Sequence, residues 1–285
     1  MAEFDHGMKK IAQTAGRQLA RVAGVACQQW GPIESTLQIT TEFLSDRAFI
    51  AQQDRERFVV YFEFFTIWHS NGRWDMLAKS GILSQREKLP TMCIPVILQE
   101  EGYTLQNSQF RLEVGGSPTQ QLWFREVCLW EKQPLDWWED APGLMALFPL
   151  CRHGRQPREA IEHAAGVIER KVVNVGEQAD FLALLGIFGK LSYPYLDVKR
   201  IIGREQMRAS KFYQEIQEEG AVMTSREYIL AALRARFKGA SLSDVEAAIA
   251  ALDDLPQLKR LHDQAVTCDS LDAFRAALPG QTANA

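Results

Sequence analysis

The stretch Arg57-Phe58-Val59-Val60-Tyr61-Phe62-Glu63-Phe64-Phe65-Thr66-Ile67-Trp68 is a long, mostly apolar run with a single carboxylate near its centre. Its β-branched and aromatic residues predict a strand buried on both faces. An unpaired charge in such a strand carries a heavy penalty, so Glu63 needs a partner. That partner is a metal ion, a basic side chain or a shared proton. Strand alternation places Tyr61, Glu63, Phe65 and Ile67 on one face and Phe62, Phe64 and Thr66 on the other.

The segments around this strand read as a mixed α+β region. From Asp5 to Ala23, Met8, Ile11, Ala15, Leu19 and Val22 recur at helical spacing, while Lys9, Lys10, Arg17 and Arg21 occupy the remaining faces. Ser35 to Thr41, Asp46 to Gln52 and Arg57 to Trp68 predict a three-stranded meander. Gly72 to Leu83 predicts a helix, and Leu89 to Gln99 a further buried strand whose Pro95 implies an edge or a bulge. Phe110 to Val114 and Leu122 to Trp130 alternate like a hairpin around Gly115-Gly116-Ser117-Pro118.

After Trp137 the pattern becomes helical. Glu159 to Val173, Gly176 to Leu191, Val198 to Glu219, Ser225 to Phe237, Leu242 to Ala251, Pro256 to Val266 and Leu271 to Ala277 all have helical periodicity. Ser241 to Asp244 and Asp269 to Asp272 have the composition of N-caps. The division expected is a sheet-bearing core over 1–150, a helical extension packed on it over 151–222, and a small helical region over 223–285.

Composition narrows the function classes. The chain has 285 residues, 46% of them hydrophobic, enough for a sizeable core. A net charge of −4 leaves only a local basic patch for any DNA contact. The cysteines, Cys27, Cys93, Cys128, Cys151 and Cys268, are odd in number and form no C-x-x-C pair, which fits reduced, buried thiols better than disulfides or a zinc site. With no signal-peptide pattern and no apolar run of membrane-spanning length, a soluble cytoplasmic protein without membrane association is the expectation. His6, His69, His153, His163 and His262 lack metal-ligand spacing. There is no G-x-S-x-G, P-loop or G-x-G-x-x-G after a strand.

An acid followed two residues later by Lys or Gln, with a second acid on the adjacent strand, is how a metal-dependent nuclease assembles its site. Glu63 supplies the first acid and Asp46 is placed for the second. The chain resembles the recombination-promoting nuclease and putative transposase family, a branch of the PD-(D/E)XK nuclease superfamily. The matching pieces are Phe4-Asp5 with Lys9, Asp46 in Leu44-Ser45-Asp46, Tyr61-Phe62-Glu63-Phe64, Arg73 with Leu77, Val127-Cys128-Leu129-Trp130-Glu131, and Gly203-Arg204-Glu205-Gln206-Met207-Arg208 with Ser210 and Tyr213-Gln214-Glu215. The resemblance implies an αβββαβ core with a mixed central sheet flanked by helices, Mg²⁺ binding at Asp46 and Glu63, hydrolysis of DNA phosphodiesters, and a helical C-terminal tail like Glu227 to Leu278.

Two positions depart from the family pattern. Phe65 stands where Gln or Lys is expected, and a phenyl ring neither orients nor deprotonates a water. Leu37 stands near the place of an early acid, with Glu42 close by but out of alignment. The missing basic group can come instead from Arg73, Lys79 or Lys88, making Asp46, Glu63 and Lys79 the candidate catalytic residues with Lys9 and Arg73 in support. The competing reading makes Glu63 and Asp46 part of an internal ion pair with Arg73, Arg47 or Lys79 in a fold that has lost catalysis. Two functions follow: a catalytically degenerate nuclease-fold protein that binds protein or nucleic acid, with the C-terminal helices as contact or self-association surface, or an active Mg²⁺-dependent DNA endonuclease. Lys9, Lys10, Arg17 and Arg21 are candidate phosphate contacts. Trp123, Trp130, Trp137 and Trp138 read as packing or interface residues.

Overall fold

The computed structural model describes residues 2–32, 36–38, 42–44, 47–104, 108–114 and 116–279. In chain order, helix α1 (Ala2–Val22) precedes strands β1 (Gln29–Pro32), β2 (Thr36–Gln38), β3 (Glu42–Leu44), β4 (Arg47–Gln53) and β5 (Glu56–Phe65). Helix α2 (Gly72–Glu87) then leads to β6 (Thr91–Ile97), β7 (Gln109–Val114), β8 (Ser117–Trp123) and β9 (Val127–Cys128). The principal sheet is mixed, with strand order β1-β4-β5-β6-β9. β5 is its central strand, antiparallel to β4 and parallel to β6. A two-residue turn joins β4 to β5, with Asp54 at φ 53°, a left-handed conformation that Asp tolerates better than most residues.

The two faces of β5 are covered differently. Val59, Tyr61 and Phe65 form one core with Met76 and Leu83 of α2 and with Cys93 and Ile97 of β6. The opposite face carries Phe62, whose ring lies 6.1 Å from that of Phe49, itself stacked at 4.7 Å on Trp30. The apolar stripe of α1, with Met8, Ile11, Ala12 and Leu19 fully buried, packs on that second face. Parallel neighbours need a crossover connection, and α2 makes it between β5 and β6.

Several sequence expectations shift by an element. The strand expected over Ser35 to Thr41 is described only at β2, which pairs with β3 in a separate two-stranded sheet. The first strand of the principal sheet is instead β1, Gln29-Trp30-Gly31-Pro32, an edge strand whose Gly and Pro hide it from propensity. β5 ends at Phe65, so Thr66 and Ile67 lie beyond it, and Ile67 is exposed. β6 is interior rather than an edge. Arg125 donates its amide to Cys93 O, so by alternation the nitrogen of Pro95 faces the β9 side, between the single bridge at Cys93 and the β9 pairing that starts at Val96. The missing N–H of Pro95 therefore interrupts little. β7 and β8 form the expected hairpin, but Val127 and Cys128 leave it to join the principal sheet.

The helical half comprises α3 (Pro142–Met145), α4 (Pro157–Lys171), α5 (Val175–Ser192), α6 (Val198–Ile202), α7 (Arg204–Arg208), α8 (Lys211–Arg236), α9 (Ser243–Ala250), α10 (Leu255–Thr267) and α11 (Leu271–Ala276). α5 is apolar around its whole circumference from Phe181 to Gly189, and it is buried between α1, α4 and α7. The helix expected over Val198 to Glu219 is broken at Gly203, where φ is 97°, and α8 absorbs both its end and the next expected helix. Contacts divide the chain into Met1–Ser210 and Lys211–Ala285. Helices α4 to α7 thus share a unit with the sheet, and the division falls after Ser210 rather than near 222. The second unit has its own core of Ile229, Leu233, Val245, Ile249, Leu258, Leu261 and Phe274. Ser270 caps α11 through the Ala273 amide, whereas the residue at the N-cap of α9 is Leu242. Among the described residues no helix is long and apolar enough to cross a membrane.

Candidate functional site

Glu63 projects from β5 toward α2. In α2 the buried positions are Gly72, Met76, Lys79, Ser80 and Leu83, a stripe at helical spacing that faces β5 and β6. Lys79 therefore enters the chamber from the same face as the apolar residues that hold the helix down. Its Nζ donates to Glu63 Oε1 at 2.6 Å, with Lys79 only 9% and Glu63 only 7% exposed. Of the three requirements a buried Glu63 could have met, a basic side chain is the one described, and it comes from Lys79.

The surroundings of the pair are tightly packed. Cys93 lies on β6 opposite Tyr61, and Pro95 opposite Glu63. Burial pushes the Cys93 thiol up, the negative charge of Glu63 adds to that, and the Lys79 ammonium works against both. The thiol is accordingly a neutral wall of the chamber. The phenolic oxygen of Tyr61 is buried and finds no hydrogen-bond partner among the described residues. Phe65, on the same face, packs edge-on against Trp68 at 4.9 Å and His69 at 5.3 Å. A Cβ added to Gly72 would come within 2.9 Å of the Phe65 ring, so this phenyl seats the first turn of α2. Position 65 thus has a packing role.

The other candidate residues are placed as follows. Asp46 lies outside the described residues; the residue after it, Arg47, is opposite Phe62, the residue before Glu63. Arg73 is in the first turn of α2 and is not the residue bonded to Glu63. Arg47 Nε donates to Lys9 O at 3.4 Å, on the α1 side of the sheet. Lys88 caps the far end of α2 in a left-handed conformation. Lys9 is bonded to Asp5 one turn earlier in α1, across the sheet from Glu63. Of the described candidates Glu63, Lys79, Lys9 and Arg73, the structure brings together Glu63 and Lys79.

Among the described residues the chamber offers a divalent cation one carboxylate, Glu63. The one described carboxylate in the chamber already carries an ammonium at 2.6 Å, which would repel a cation, and no group of three or more His, Cys, Asp or Glu side chains able to hold a metal occurs among the described residues. Nor does α1 present a free basic face. Lys10 pairs with Asp180 at 2.9 Å, Arg17 donates to Cys27 O at 2.7 Å, and the Arg21 guanidinium lies 4.4 Å from the Trp137 ring centre. These charges are committed within the chain. Trp138 is core and Trp130 packs on Tyr103, while Trp123 is exposed on β8.

From the sequence Lys79 is the candidate catalytic base, while the ion-pair partner of Glu63 is left open among Arg73, Arg47 and Lys79. The signal that singles it out is its spacing, Met76-x-x-Lys79-x-x-x-Leu83, which puts a lysine on the apolar stripe of a predicted helix. Cys93 carried no comparable signal, since the register of parallel strands is not written in either strand. Compared with family models, curated proteins and solved structures, the chain matches none of them.

Proposed function

We propose that the chain is a nuclease-fold protein related to the recombination-promoting nucleases, with a degenerate catalytic centre and a role in binding protein or nucleic acid. The order helix, three antiparallel strands, crossover helix and parallel strand, seen in α1, β1, β4, β5, α2 and β6, supports an αβββαβ core. The observation that carries the loss of catalysis is the Glu63–Lys79 ion pair, closed at 2.6 Å beside the phenyl ring of Phe65. A carboxylate so engaged is a fold element, and its ion pair replaces whatever cation the strand once held there.

A second reading, an active Mg²⁺-dependent DNA endonuclease using Asp46, Glu63 and Lys79, is favoured by one feature. Lys79 delivers a basic group to the face on which Phe65 supplies none. Plasmid nicking by the purified protein with Mg²⁺ or Mn²⁺ separates the two. The degenerate reading expects no nicking above that of Asp46→Ala and Lys79→Met. Metal-dependent nicking that both substitutions abolish would overturn it in favour of the endonuclease.

A further inference from the structure

In the second unit, the face of α8 that meets the core outruns its cover. Ile229 and Leu233 of α8 join Leu258 and Leu261 of α10 in one core. Counting back from Leu233 by three and four gives Ile229, Arg226, Val222, Glu219 and Glu215, which therefore share that face. Arg226 marks where the cover stops. Its guanidinium donates to Leu252 O at 2.8 Å and to Asp253 Oδ1 at 2.6 Å, drawing the segment after α9 across the helix. Beyond it lies an open groove of about 520 Å³, and all the described residues that line it belong to the second unit. Its apolar floor is Val222, half-buried on the core, and Met223, 51% exposed. The exposed carboxylates of Glu215, Glu218, Glu219 and Asp253 surround that floor. Four carboxylates against the one guanidinium of Arg226 leave a net charge of −3. At 3.6 residues per turn, the α8 side chains among these fall within an arc of about 140° along about 16 Å of helix, so they converge on one surface.

An apolar floor inside an acidic rim, along three turns of helix, complements a segment with the opposite pattern. The rim repels phosphate, and a second copy of the chain paired face to face would set one acidic rim on another. We infer that this face docks a basic amphipathic helix of a partner protein. The apolar stripe of that helix lies on Val222 and Met223, and its lysines or arginines lie on Glu215, Glu218, Glu219 and Asp253. The charges speed encounter and fix register, while the apolar contact excludes water and holds the complex. The inference rests on the binding role proposed above and assigns that role to a protein partner. The Glu63–Lys79 pair lies in the first unit and has no part in it.

Fluorescence anisotropy of the full chain with a labelled helical peptide of about 18 residues, leucine on one face and lysine on the other, tests this assignment. The peptide binds saturably in the micromolar range, and a scrambled peptide of the same composition, with no apolar face, binds about tenfold more weakly or less. Glu215→Lys/Glu218→Lys and Met223→Ser, all at exposed positions, each weaken the helical peptide about tenfold or more. Asp263→Lys/Asp269→Lys makes the same change of charge toward the far end of α10 and stays within about twofold of wild type. No saturable binding below about 1 mM, equal binding of the scrambled peptide, a groove variant within about twofold of wild type, or an equal loss in the α10 control overturns the inference. Plasmid nicking reads the first unit separately, so a failure here and a failure of the degenerate reading are told apart.

Discussion

Replacing Lys79 by Met removes the cation while keeping an unbranched side chain on the buried stripe of α2, and leaves the Glu63 carboxylate in its chamber. At 2.6 Å and an effective dielectric constant of about 20, the attraction removed is on the order of 6 kcal/mol before desolvation is counted. Desolvation of both groups offsets much of it, and removing one partner of a buried pair typically destabilises by about 3–5 kcal/mol. For a unit of this size that corresponds to a Tm lower by about 10 °C. Urea denaturation followed by circular dichroism measures the deficit. Acidification should relieve it: a buried carboxylate without its cation takes up a proton more readily folded than unfolded, so the variant gains stability as pH falls. The double variant Glu63→Leu/Lys79→Met should return to within about 1 kcal/mol of wild type, because an apolar pair of similar volume replaces the ion pair without leaving a charge. A Lys79→Met deficit below about 1 kcal/mol, or a double variant as unstable as the sum of the single ones, would refute the assignment of this pair as a buried, coupled charge.

Phe65→Lys, which places a lysine two residues after Glu63, should destabilise by about 3–5 kcal/mol in the same assay rather than confer activity, because the ring it removes seats Gly72 and Trp68. Burial, then the nearby Arg155 charge, holds His153 and His163 below the ordinary imidazole value of 6.5. The unfolded chain therefore binds more protons near that pH, and stability should fall as pH drops through 6.5 and below; His153→Gln/His163→Gln should flatten the slope of urea midpoint against pH. Thiol labelling at pH 8 should modify the half-buried Cys27 and Cys268 in the native protein. Cys93, Cys151 and Cys128, the last pushed up to about 11 by burial above all, should react only on unfolding; fast labelling of Cys93 would show that the chamber beside Glu63 is open.

Much of the frame is legible in local pattern. The run from Val59 to Phe65 around Glu63 reads as a buried strand, and the period of α1 or α4 as a helix with one apolar face, because each pattern has one geometry that hides it from water. Weakly patterned pieces were not legible: β1 is four residues with Gly and Pro, and the breaks at Gly203 and Ser210 carry no stronger signal than Gly220, which α8 runs through. Exposure explains the last case, since a glycine on a solvated helix costs only about 1 kcal/mol and neighbouring packing overrides it.

The sequence by itself determined that Glu63 would be buried and would need a compensating group, because its neighbours leave no other place for that strand. It also determined that Phe65 could not supply that group. Only the tertiary structure decided that the group is Lys79, sixteen residues away on another element, through the crossing of α2 over β5 and β6. Partners across elements are set by register and packing angle, which depend on the whole core at once, whereas burial of a strand is set by its own side chains.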